Sequence, residues 1–275
     1  MKDVCKHLRE LSGYVRNWLV HQPGVKEESL TDWLLYDVSQ RLPNVHYKAF
    51  TRHEEARTTG ADWEWWILFQ GGAARFRVQA KKMVDGSDLN SEIARTNKYG
   101  LQIDMLLSSA TRANAIPFYA LYSTTQSPLM CAGTSPDGTH NDGVFIAGAR
   151  KIHNTVFGVP RRAVSPSDIL QISNPFSCFA CCPLVHDNRG GLRHFLERYY
   201  PAETQMQTDS LENSSAIGSE DEEQFPGFHK NPPGYVTSLT QSKHEKLPDW
   251  WEHEYSGQLQ EFKALLVYDF RSDKD

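Results

Sequence analysis

The sequence has no apolar run approaching the roughly 18 residues that a membrane-spanning helix needs, so no helix is expected to cross a bilayer. Its first twenty residues, Met1 to Val20, alternate charge with apolar side chains and lack the continuous apolar stretch of a secretory signal. Cysteine is scarce: five residues, an odd number without regular spacing, do not read as a disulfide framework. A reducing cytoplasm is the compartment expected. There is no G-x-S-x-G turn, no glycine-rich phosphate cradle and no H-x-x-x-H pair, which sets aside serine-hydrolase, P-loop and zincin chemistry.

Positive charge is also short. The net charge is −5, which argues against a broadly basic coat for nucleic acid. The deficit is local, however. Six acids (Asp209, Glu212, Glu220, Asp221, Glu222 and Glu223) lie between Asp209 and Gln224 with no Lys or Arg among them. Without that stretch the remainder is slightly basic, so a local cationic groove is not excluded.

What is present has the size and apolar content of one α/β domain with an appendage. Leu8, Leu11, Val15 and Leu19 predict a helix over Asp3 to Val20, and Leu30, Leu34, Val38 and Leu42 a second from about Glu28 to Leu42. The period then shifts to two. Val45 to Thr51 and Asp62 to Gln70 read as strands, with a polar turn from His53 to Gly60 between them. Gly71-Gly72 signals a hairpin. Arg75 to Lys81 alternates, with Phe76, Val78 and Ala80 on one face and Arg75, Arg77, Gln79 and Lys81 on the other: a half-buried strand with a polar second face. A helix over Ser91 to Ala113 and strands at Ile116 to Tyr122 and Val144 to Ala149 complete a sandwich with a mixed central sheet flanked by helices. Residues 1–200 form the expected main domain and 201–228 an acidic flexible connector. Residues 229–275 are expected to be a C-terminal extension packing on the core, with Phe262 to Phe270 a helix or a strand.

The chemistry-bearing stretch is Thr59-Gly60-Ala61-Asp62-Trp63-Glu64 followed by Val78-Gln79-Ala80-Lys81-Lys82. Phosphodiester hydrolysis needs a hard cation held by converging oxygen ligands. Two adjacent antiparallel strands can supply them: Asp62 first, Gln79 second and the carbonyl of Ala80 third. Lys81 lands on the same face as Gln79 and can orient water or steady developing charge. Glu28, or Glu27 beside it, could reach the same place from the second helix.

Gly60-Ala61-Asp62, with Gln79-Ala80-Lys81 seventeen residues on, resembles the PD-(D/E)xK restriction-endonuclease-like superfamily, closest to its Mrr-like branch with glutamine for the second acid. Glu28-Ser29-Leu30-Thr31 opening a helix, and Tyr99 and Gln102 on the helix after the core, are similar too. The chain also resembles a bacterial defence-associated group with a Cys-rich patch near Cys178 to Cys182. The resemblance covers residues 25 to about 125. It implies Mg²⁺ or Mn²⁺ held by Asp62, Gln79 and Glu28, with Lys81 the catalytic cation, cleavage of DNA, and a role in antiviral defence. Gln79 is neutral where the family pattern has an acid, a loss that Glu64, on the same strand face as Asp62, is placed to offset. Specificity would come from a homodimer, a defence-system partner protein or the extra segments. The alternative is an inactive nucleic-acid-binding or interaction module with the same fold.

Plainer readings stand beside these. Asp62 can be a turn residue, Gln79 and Lys81 a solvated edge, and Glu28 a helix-terminal acid favoured by the dipole. Arg75 and Arg77 can be surface charge or substrate contacts. Trp63, Trp65 and Trp66 belong to the core. Cys178-x-x-Cys181 is half of a zinc site, with His153, His186 and His194 nearby in sequence. A buried cysteine cluster against Phe176 and Phe179 is the reading preferred.

Overall fold

In the computed structural model, residues 2–50, 56–83, 93–126, 141–158, 164–186, 191–205, 225–242 and 247–271 are described. Two amphipathic helices open the chain, α1 (Lys2–His21) and α2 (Glu27–Arg41). Strand β1 (Val45–Ala49), a single helical turn α3 (Ala56–Thr59), β2 (Trp63–Phe69) and β3 (Gly72–Met83) follow. A two-residue hairpin, β4 (Thr96–Asn97) and β5 (Gly100–Leu101), precedes α4 (Gln102–Arg112), β6 (Ile116–Ser123), β7 (Val144–Gly148) and α5 (Ala149–Phe157). Next come α6 (Pro166–Leu170), β8 (Ser173–Pro175), α7 (Cys178–Cys181), α8 (Gly191–Tyr199) and α9 (Pro201–Thr204). The chain finishes with β9 (Phe228–His229), α10 (Gly234–Gln241), α11 (Asp249–Glu254), α12 (Ser256–Leu259) and β10 (Ala264–Asp269).

The architecture is α/β, a mixed central sheet of eight strands flanked by helices, as the sequence pattern predicts. Its order is β1-β10-β2-β3-β6-β7-β8, with β9 alongside the start of β3. The β2–β3 hairpin turns at Gly71-Gly72, where Gly71 takes a φ of +89° that a side chain would strain. One face of the sheet packs Trp65, Phe76 and Phe118 under α1, α2, α7 and α8, with Phe179 of α7 against all three. The other face carries two clusters, one under α4 and α5 and one under α10 and α11.

Four expectations change. Residues 229–275 do more than pack on a finished core, because β10 lies inside the sheet, parallel to β2 on one side and antiparallel to β1 on the other. The main sheet is therefore not complete by residue 200. The expected helix over Ser91 to Ala113 is interrupted: Ile93 is helical, Thr96 then pairs with Leu101 across a turn where Gly100 has a φ of +127°, and α4 runs from Gln102. The polar face of β3 is buried rather than half-exposed, with Arg77, Gln79 and Lys81 at 1–3% exposure. Finally, Cys5 on α1 and Cys181 on α7 form a disulfide across 176 residues, a pairing that spacing alone did not reveal. Most of the acidic connector lies outside the described residues.

The position of β10 carries a direct prediction. Removing residues 262–275 should abolish cooperative unfolding, since β2 would lose its whole parallel partner and the core would lose Leu265 and Val267. A truncated protein with an unchanged circular-dichroism melt would refute this placement.

Candidate metal centre

β2 and β3 run together only as far as the Trp63–Val78 pair; beyond it β3 continues to Met83 while the chain before β2 turns away into α3. Asp62 stands at this fork. Its backbone N–H donates to Val78 O at 2.8 Å and its carbonyl accepts from Lys263 N at 2.9 Å, so the residue is stitched to strands on both sides. Its carboxylate then reaches forward along β3. Oδ2 accepts from Ala80 N at 2.9 Å and from the amide of Gln79, while Oδ1 accepts from the ammonium of Lys263.

The approach to the fork is held by Gly60. At a φ of +71° it lies so close to α4 that an added Cβ would stand 2.5 Å from Gln102 O and 2.8 Å from Leu106 N. Ser109 Oγ donates to Thr59 O at 2.8 Å and Thr59 Oγ1 to Glu261 O at 2.6 Å, so the segment before Asp62 is anchored from both sides. Gly60-Ala61-Asp62 is thus a rigid approach, not a loose turn.

Gln79 and Lys81 share the face of β3 that α4 covers. Gln102, the first residue of α4, donates from Nε2 to Gln79 Oε1 at 2.8 Å. Lys81 is 3% exposed, and its side chain has no hydrogen bond or ion pair among the described residues. Lys82 points the other way and serves the scaffold: Nζ donates to the carbonyls of Pro23 and Val25 at 2.8 and 2.7 Å, tying down the start of α2. There Glu27 accepts from the Lys82 backbone N–H at 2.8 Å. Glu27, Glu28, Asp62, Ala80 and Lys263 line one end of a cavity of about 520 Å³. Of the two acids opening α2, Glu27 is the one bonded to β3; Glu28 lines the same cavity.

Among the described residues no three His, Cys, Asp or Glu side chains are grouped to hold a metal ion. The donors here are of mixed type: carboxylates, a primary amide and the Ala80 carbonyl, all hard oxygens suited to Mg²⁺ or Mn²⁺. Two buried polar atoms beside them lack partners among the described residues, Gln102 Oε1 and the hydroxyl of Tyr119, whose β6 position pairs with Gln79. Oxygen and nitrogen of an amide exchange by a half-turn. Turning both amides over would direct Gln79 Oε1 toward Asp62 and give Gln102 Oε1 a donor in Gln79 Nε2. Turned that way, the Asp62, Gln79 and Ala80 oxygens would suit a divalent cation in the place where the Lys263 ammonium now sets a positive charge against Asp62.

Glu64 does not offset the neutral Gln79. It is fully buried and accepts from Trp66 Nε1 at 2.8 Å, from Arg75 Nε and Nη2 at 3.0 and 2.7 Å, and from the Tyr235 hydroxyl. Arg77 lies 3.7 Å away and also pairs with Glu261. Arg75 and Arg77 are therefore neither surface charge nor substrate contacts. Burial opposes ionisation of Glu64, but the two guanidiniums and the Tyr235 hydroxyl outweigh it and hold the carboxyl below its ordinary value of 4.5. Tyr99 is half-exposed on the β4–β5 turn and sits with Lys98, not on the helix. The tryptophans at 63, 65 and 66 are core.

Lys263 and Tyr119 are the residues that sequence reasoning missed. Lys263 immediately precedes the apolar run Ala264 to Tyr268, so reading that run as a strand parallel to β2 would have set it beside Asp62. Nothing in the local pattern marks Tyr119.

The sign of the Glu64 shift fixes a pH dependence. A carboxyl with a lowered folded pKa contributes stability above its ordinary value, and that contribution is lost as pH falls through the lowered one. Glu64→Gln should cost about 3–5 kcal/mol at neutral pH by leaving two buried guanidiniums short of charge. It should also flatten the acid limb of the stability profile, as urea denaturation from pH 3 to 7 would reveal.

A sequence model for a family described as "Family of unknown function (DUF6615)" matches residues 4–271. No curated protein matches the chain.

Proposed function

The chain belongs to that family of unknown function, and we propose that it is a metal-dependent nuclease hydrolysing phosphodiester bonds of DNA, acting in bacterial defence against foreign DNA. The observation carrying the proposal is the convergence at the strand fork of the Asp62 carboxylate, the Gln79 amide and the Ala80 backbone, with Lys81 on the Gln79 face of the same strand. A bound Mg²⁺ or Mn²⁺ supplies a Lewis acid for the phosphate and lowers the pKa of an attacking water. Asp62, Gln79 and the Ala80 carbonyl would hold it, with Glu27 or Glu28 completing the set from α2. Lys81, without a partner among the described residues, would position water or steady charge on the phosphate oxygens. No described helix is long and apolar enough to cross a membrane. Action in the cytoplasm goes with this reading, and there Cys5 and Cys181 would stand reduced. Specificity would come from a second copy of the chain or a defence-system partner.

One observation favours a second reading, an inactive nucleic-acid-binding module of the same fold: Lys263 holds the Asp62 oxygen that a cation would take. The two readings separate in one experiment. Plasmid and linear DNA are incubated with the protein and Mg²⁺ or Mn²⁺. Cleavage that falls roughly 10²–10³-fold in Asp62→Asn and Lys81→Ala supports the nuclease. No cleavage by the wild type or by Lys263→Met, with no Mn²⁺ bound by either in calorimetry, leaves the binding module.

A further inference from the structure

The cavity that begins at Asp62 does not end at the acids. Aromatic rings line it too, Trp33 and Tyr36 from α2 together with Tyr47 of β1. On α2 the spacing explains the layout: Glu28, Asp32 and Tyr36 recur every four residues, so one helical stripe runs from the candidate cation position to the rings. Tyr36 is 55% exposed, and its side chain has no ring contact or hydrogen bond among the described residues. Trp33 is held rigid from behind, stacked on Tyr14 at 4.5 Å and met edge-on by Trp18 at 6.0 Å. Trp33 and Tyr47 pack against the core and also line the cavity, and core packing does not account for the exposure of Tyr36.

We infer that the DNA taken by this site is single-stranded or locally unpaired, with one base stacked among Trp33, Tyr36 and Tyr47 next to the phosphate at Asp62; the inference rests on the nuclease reading. In a duplex the π-faces of the bases are covered by their neighbours, and only an unpaired base offers one to an aromatic ring. The cavity volume of about 520 Å³ is that of a pocket for a small ring system, within the 300–1,000 Å³ common for such sites. Charge sets the orientation. Asp32, between the rings and Glu28, repels a phosphate and accepts the exocyclic amino hydrogens of a base. The base therefore enters the aromatic end and the backbone stays at the cation end.

The test reads binding apart from turnover. Full-length Lys81→Ala protein is titrated with a fluorescein-labelled 12-nucleotide DNA strand and with the matching duplex, in the presence of Mn²⁺, and anisotropy gives both affinities. The strand should bind at least tenfold more tightly than the duplex. Adding Tyr36→Ala should weaken the strand by about tenfold or more and leave the duplex unchanged, while Tyr36→Phe should restore strand binding. Equal or tighter binding of the duplex, indifference to Tyr36→Ala, or no binding of either DNA would overturn the inference. Wild-type protein that cuts duplex but not strand sinks it and leaves the nuclease reading intact. Strand binding through Tyr36 without cleavage by the wild type does the reverse.

Discussion

Where β2 leaves β3, the strand left behind has a buried backbone N–H with no strand to pair with, and the rest of the site follows from how that group is satisfied. The carboxylate of Asp62 takes it, standing in for the missing strand at Ala80. A buried amide without a partner costs on the order of 1–3 kcal/mol, so the acid is fixed by the needs of the sheet before any chemistry is asked of it. The same fork leaves room for the side chains of Gln79 and Lys81 to lie beside α4 instead of under another strand. A carboxylate held by the sheet is also preorganised. It cannot rotate away from its neighbours without breaking the bond that closes the ladder.

The polar face of β3 holds two groups of charges with opposite characters. Toward the β2–β3 turn, Glu64 is saturated by donors from Trp66, Arg75 and Tyr235, a closed network that fastens α10 to the sheet. Toward the fork, Lys81 has no partner among the described residues, and Gln102 and Tyr119 each bury an unpartnered oxygen. The donors around Glu64 mark that carboxylate as scaffold. The unpartnered groups near the fork lie where the proposed cation and substrate would bind. The two acids of β2 are only two residues apart and share a face, so parity alone could not distinguish them; their neighbours do.

Much of this was legible in the residue pattern, and the reason is local. Alternation along Arg75 to Lys81, the Gly71-Gly72 turn and the spacing from Asp62 to Gln79 together set the hairpin register, which brings those two side chains together just past its last pair, Trp63–Val78. Helices α1 and α2 followed from apolar spacing in the same way. What could not be read depends on partners distant in sequence. The insertion of β10, the Cys5–Cys181 bridge and the hold of Lys263 on Asp62 join residues 176 to more than 200 positions apart. Glu64 was misread because an acid on the Asp62 face has the same sequence signature whether arginines bury it or not. The helix before Gln102 failed for a smaller reason: Gly100 allows a positive φ, and a tight hairpin used it.

The interior place of β10 has a bearing on how the protein is made. Domains assemble as the chain leaves the ribosome, amino-terminal parts first. Here β1 and β2 cannot be joined until Ala264–Asp269 has emerged, and Asp62 meets neither Lys263's backbone nor its ammonium before then. A nascent chain that has not yet exposed Ala264–Asp269 carries almost every ionisable group of the pocket while the sheet is still split in two. For the nuclease proposed here, closure of this kind would withhold hydrolysis until β10 has joined the sheet.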